Sequence, residues 1–207
     1  MNKHLKELLF RPHEHIAGFK ALWIGVLAIL LTGIINIFSL THLDGIIDVH
    51  FGEKAIPNLL FIIEGFANWL IFSIVLFISG IIFSKSSIRI IDVLGTQAMA
   101  RWPMLIMAVS AISIPHAEIV QYFSHKYLHP GEAPLPLTYL QIILFIISML
   151  IIVVTIIWMV MLMYRAFSIS CNIKGSKAIA IFIGGMIVAE TLAKFFLLFI
   201  NNYLGVI

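Results

Sequence analysis

The chain has one cysteine, Cys171, in 207 residues, so no intrachain disulfide can form and that residue is expected on a reducing side. Charge is also scarce. Only 11% of residues are Asp, Glu, Lys or Arg, whereas a soluble domain carries roughly a quarter. With 61% hydrophobic residues and a mean hydropathy of +1.08, the chain has room for one membrane domain and no sizeable soluble one. It lacks a basic run with interleaved aromatics, which excludes nucleic acid as a partner. The net charge of +3 is instead the excess that inward-facing loops carry. There is no HExxH, no phosphate-loop lysine after Gly184-Gly185 and no internal repeat. No A-x-A site follows the first apolar run, which is too long for a signal core and is expected to be retained as an anchor.

What is present is a succession of long apolar runs. They predict an all-α, polytopic bundle of five transmembrane helices at about 21–40, 59–83, 93–114, 137–164 and 178–200. Residues 1–20 form a polar lead-in with Leu5, Leu8 and Leu9 at helical spacing and a break at Arg11-Pro12, suited to a short interfacial helix. The fourth run is the most uniformly apolar and should be the most lipid-exposed. Lysine and arginine orient the bundle. The lead-in and the second–third and fourth–fifth connectors carry nine (Lys3, Lys6, Arg11, Lys20, Lys85, Arg89, Arg165, Lys174, Lys177), and the opposite loops carry two, Lys54 and Lys126. The positive-inside rule therefore places the N-terminus in the cytoplasm and the C-terminus outside, across the inner (cytoplasmic) membrane. Trp23, Trp102 and Trp158 fall towards the inner ends, and Tyr122, Tyr127, Tyr139 and Tyr203 towards the outer ones, as interfacial aromatics do.

Two constellations are candidates for function. The first is an intramembrane polar cluster of Asn36, Glu64, Asn68, Arg101, Glu190 and Lys194. A charge at the bilayer centre costs roughly 2.5–3.5 kcal/mol on insertion scales, so each should face protein and find a partner. Depth along the helices, at ~1.5 Å per residue, pairs Glu64 with Lys194 and Arg101 with Glu190. A Glu190–Lys194 pair at four-residue spacing is the competing arrangement. Beside them, Gly185, Ala189 and Ala193 make a small-residue ladder for helix packing.

The second constellation lies in the outer loops. His42, Asp44, Asp48, His50 and Glu53 share one loop; His116, Glu118, His125, His129 and Glu132 share the other. His42, Asp44, His50, His116, Glu118, His125 and His129 offer the imidazole and carboxylate ligands that suit a divalent metal such as zinc. Solvated loop residues are the first expectation for the same set, with a metal site behind it.

The passages LLFRPHEHIAGFKAL, IRIIDVLGTQAMARWPML and WMVMLMYRAFSISCNIKGSKAIAIFIGG, with five spans and an inside N-terminus, resemble bacterial members of the Yip family of five-span membrane proteins. Trp102-Pro103 and the Lys174-Gly175…Lys177-Ala178 run carry most of that resemblance. It implies an all-helical membrane domain, self-association or a membrane-protein partner, and no catalytic residues. The acidic-Leu-Tyr-Gly-Pro motif of the eukaryotic branch is absent here.

Three functions follow as expectations. The first is a non-enzymatic membrane protein acting through helix-mediated partners or membrane organisation. The second is a small transporter or channel built on the charge cluster. The third is a metal-binding membrane protein using the outer loops.

Overall fold

The computed structural model describes residue 7 and residues 9–51, 57–112, 116–128 and 137–203. Most of these residues are helical. Helix α1 is Gly18–Ser39, α2 is Asn58–Phe83, α3 is Ile90–Met99 and α4 is Met104–Ala111. Helix α5 is His116–Leu128, α6 is Tyr139–Ser170 and α7 is Gly175–Tyr203. Four of these, α1, α2, α6 and α7, are long and apolar enough to cross a membrane. Helix α6 has the smallest buried share of the four, 22% of its most apolar window, as its uniform sequence predicts.

The ends of the helices follow local chemistry. Leu40 stops α1 in the left-handed conformation (φ 52°), its N–H donating to the Asn36 carbonyl. Thr138 and Gln141 form a capping box at the start of α6. Asn172 and Gly175, both with positive φ, make the tight turn from α6 into α7.

The expected third span, 93–114, is not one helix. Pro103 has no N–H to give, and the chain passes from α3 to α4 through 3-10-type bonds: Arg101 N to Ala98 O, Trp102 N to Met99 O, and Met104 N to Arg101 O. The two halves are 10 and 8 residues long, each too short to cross alone. They nevertheless track α6. Thr96 Oγ1 meets Ser170 Oγ at 2.8 Å, Gln97 Nε2 donates to Met163 O at 2.9 Å, and Ser148 Oγ donates to Ser110 O at 3.4 Å.

Lipid offers no hydrophobic drive for helices to associate, so the bundle closes on small residues. Gly25 of α1 lies so close to the Ala98–Met99 backbone of α3 that a Cβ there would collide with main chain. Gly33 lets α1 approach α2, its Cβ position being 3.0 Å from Ile62 Cα. Gly185, Ala189 and Ala193 are buried on α7, and Gly185 faces Leu76 of α2. Phe72, Leu76, Val93, Met107, Met159, Leu162, Met163, Phe167 and Phe182 fill the core between α2, the α3–α4 pair, α6 and α7. The Trp69 indole donates to Leu94 O, tying α2 to α3.

The loop after α1 is not a solvated connector. Thr41–His42 (β1) and His50–Phe51 (β2) pair antiparallel, His42 opposite His50. Between them Leu43 and Ile46 are buried, at 2% and 0% exposure. The loop is therefore a cap pressed into the end of the bundle.

Candidate functional site

The cap is held by two carboxylates from two helices. Glu64 of α2 is buried; Oε1 lies 2.8 Å from His42 Nδ1, and Oε2 accepts the Leu43 N–H at 2.8 Å. One helical turn on, Asn68 Nδ2 donates to the Leu43 carbonyl at 2.7 Å, so α2 grips both ends of this residue's backbone. Glu190 of α7 accepts the Ile46 N–H at 2.6 Å and the Ile47 N–H at 3.4 Å, all through Oε2. Gly45 packs against this carboxylate with no room for a Cβ. An ionised carboxylate accepting N–H groups makes charge-assisted bonds, which offset the cost of placing an acid in an apolar bundle.

These contacts correct the two expected cross-helix pairs. Glu64 does not meet Lys194. Lys194 Nζ binds Asp48 of the cap at 2.7 Å and stands 3.9 Å from Glu190, so the four-residue pair exists only at its outer limit. Arg101 does not reach Glu190 either. Arg101, in the break between α3 and α4, is 3% exposed, and its guanidinium donates to the Asn68 carbonyl at 3.1 Å. Asn36 is fully buried in α1, with neither side-chain atom hydrogen-bonded among the described residues. Depth arithmetic fails here because it treats the outer loop as lying outside, whereas the loop descends to the level of the charges.

The cap also gathers ligands. One candidate ligand atom from each of His42, Asp44 and His50 lies within 4.8 Å of the others. The two imidazoles stack with centroids 5.0 Å apart, and His42 stacks on Phe61 at 4.3 Å. His50 Nδ1 is 3.1 Å from Asp44 Oδ2. That bond raises the His50 pKa against the opposing effect of burial. Burial pushes the Asp44 carboxyl up, but His50, with the charges of His42 and Lys194, outweighs it and holds Asp44 below the usual carboxylate range. Among the described residues, His42 Nε2 is buried without a hydrogen-bond partner. A recess of about 140 Å³ lined by Asp44, Asp48, Lys194 and Asn201 adjoins the group.

The remaining candidates part company with this group. His116 stacks on Phe51 at 4.1 Å, and its Nε2 meets Ser148 Oγ at 3.0 Å, so it fastens β2 to α6. His125 lies on α5, outside the converging set. The side chain of Glu118, and His129 with Glu132, lie outside the described residues.

Two imidazoles and a carboxylate around an open position is the donor set of zinc sites that keep a fourth ligand free. A ligating histidine normally gives its other ring N–H to a carboxylate, which fixes its tautomer and orientation. Glu64 stands in that relation to His42. By sequence Glu64 groups only with the intramembrane charges; the signal that joins it to His42 is Phe61-x-x-Glu64, an aromatic and an acid on one helix face. Comparison with protein-family models, with curated proteins and with solved structures gives no match. Fold and composition define the class: a multi-pass, predominantly helical membrane protein.

Proposed function

We propose that this is a non-enzymatic, five-crossing protein of the cytoplasmic membrane, Yip-like in layout, whose outer cap binds a divalent transition metal such as zinc. The observation that carries the reading is the convergence of His42, Asp44 and His50 with Glu64 behind His42. His42 is the fixed ligand, and the half-exposed Asp44 and His50 turn inward to close on the ion. The metal then staples β1 to β2, and with them the cap to α2. The five-crossing count is supported by α3 and α4 together running alongside α6 from Ser170 to Ser148, a length of about 33 Å at 1.5 Å per residue. The asymmetry of lysine and arginine supports the inside N-terminus.

This reading is favoured over a transport role by the interior. The cavity beside Arg101, Thr32 and Leu43 has a volume of about 10 Å³, which is room for about one water molecule.

The test is a metal titration of the purified full chain, prepared without chelator. One zinc or cobalt per chain is expected, lost in His42→Ala and His50→Ala and retained in His125→Ala. Absence of saturable binding in the folded wild-type protein would overturn it.

A further inference from the structure

A second polar recess lies at the opposite end of the bundle and is built from the lead-in. Here the chain folds back on α6. Trp158 Nε1 donates to Leu9 O at 3.3 Å, Arg165 Nη1 donates to Phe10 O at 2.6 Å, and the Phe10 ring packs on Trp158. Trp158 in turn meets Trp102 edge-on at 4.7 Å. A cluster of two indoles and an exposed phenylalanine beside arginines is what a helix presents at the headgroup level of a bilayer. Beyond it, Pro12–Glu14 forms one 3-10 turn. The turn closes a cavity of about 320 Å³ lined by Arg11, His13, Glu14, Tyr164, Arg165 and Ser168.

The contents of this recess call for an anion. Arg11 and Arg165 supply two positive charges, and Glu14 returns one, at 3.7 Å from Arg11. Arg165 spends one N–H on Phe10 O, and a guanidinium has five to give. His13 is 3% exposed, and among the described residues neither of its nitrogens closes a hydrogen bond, one of them standing towards the Leu162 carbonyl. A neutral imidazole carries one N–H and one lone pair, so the choice of tautomer lets His13 turn an N–H to an acceptor in the recess. The net single positive charge matches one phosphodiester, and arginine forks suit phosphate oxygens.

We propose that this recess binds the phosphate group of an anionic phospholipid, with Arg11 and Arg165 as its cationic ligands and His13 as a neutral donor. Basic pockets between membrane helices at the headgroup level take such lipids. The recess opens beside Ile169, which is half exposed on the outer face of α6, so a headgroup enters it while its acyl chains follow the helix. Glu14 tunes the affinity downward and keeps the site selective for a single negative charge.

The experiment is native mass spectrometry of the full chain in detergent with phosphatidylglycerol, phosphatidylcholine or inorganic phosphate added in turn. Phosphatidylglycerol should bind in preference to phosphatidylcholine. Arg11→Gln, an exposed change that leaves the fold intact, should weaken it about fivefold, the usual effect of one basic residue near a headgroup. Glu14→Gln should strengthen it by a similar factor. Binding of inorganic phosphate with the same response to both substitutions would support the phosphate site while assigning it to a soluble phosphate compound. Phosphatidylglycerol binding that is absent, or unaltered by either substitution, would overturn the proposal.

Discussion

His42 Nδ1 lies 2.8 Å from Glu64 Oε1, and neither residue is more than 1% exposed. An ionised Glu64 can only accept here, which puts the proton on Nδ1 and leaves Nε2 its lone pair. In Glu64→Gln the amide oxygen replaces one acceptor but its NH₂ faces the Leu43 N–H, donor against donor. Zinc affinity should fall about 10–100-fold, the usual effect of losing a histidine's outer partner. Isothermal titration of wild type against Glu64→Gln checks it. Equal affinities would detach Glu64 from the metal reading.

Gly45→Ala should be costly in a way that Gly184→Ala is not. A Cβ on Gly45 displaces the Glu190 carboxylate, whereas one on Gly184 meets nothing within 4 Å. Moving Glu190 strands the Ile46 N–H, which it holds at 2.6 Å, and a buried orphan donor costs about 1–3 kcal/mol. Thermal unfolding in detergent should show Gly45→Ala lowered by several degrees, at about 2–4 °C per kcal/mol for a chain of this size. Gly184→Ala should match wild type.

These residues show which parts of the structure are legible in sequence. The four long spans are, because about twenty apolar residues in a row admit few other structures. The fourth run's small buried share follows from the same uniformity. The break at Arg101-Trp102-Pro103 is half legible: proline signals a kink, but residues 93–114 read as one apolar run across it. The cap is the least legible part. Its segment, THLDGIIDVHFGEKAIPN, is polar on average, and averaging hides Leu43 and Ile46, which are the residues that pull it inward. Once the loop descends, backbone N–H groups become partners for Glu64 and Glu190, and no side-chain inventory contains those donors. Three of the seven candidate ligands, His42, Asp44 and His50, converge because β1 pairs with β2, and a two-residue ladder leaves almost no sequence signal.

Lys194→Met separates the observed arrangement from the pairing suggested by depth. If Lys194 neutralised a buried Glu64, removing it would cost about 3–5 kcal/mol. It instead pairs with Asp48 where both side chains are over 40% exposed, and such pairs contribute about 0–1 kcal/mol. The variant should unfold within about 1 kcal/mol of wild type. A loss of 3 kcal/mol or more would restore the interhelical ion pair.

Cys171 should be inert in the folded protein. It is fully buried at the end of α6, and burial pushes its thiol up to about 12. The thiolate is the reactive form. Maleimide labelling at pH 7.5 should therefore be negligible until the chain is unfolded, then rapid and stoichiometric, since there is no second cysteine. Fast labelling of the native protein would mean that the α6–α7 turn opens readily.

His13 gives the lead-in a pH-dependent hold on the bundle. Burial lowers its pKa to about 4, the Leu162 carbonyl opposing and the charge of Arg165 assisting. In the released lead-in the imidazole returns to about 6.5. Between these values the released state binds more protons, so acid favours release. The docked state keeps its full stability above pH 6.5 and loses it progressively down to pH 4, by about 3 kcal/mol in all. Arg11, Glu14 and Arg165 share the recess with His13. His13→Leu should therefore flatten the pH 6.5–4 dependence of lead-in docking, read from Trp158 fluorescence or from proteolysis at Arg11. If the slope survives in His13→Leu, its origin is a different group and His13 is not the residue that acid charges.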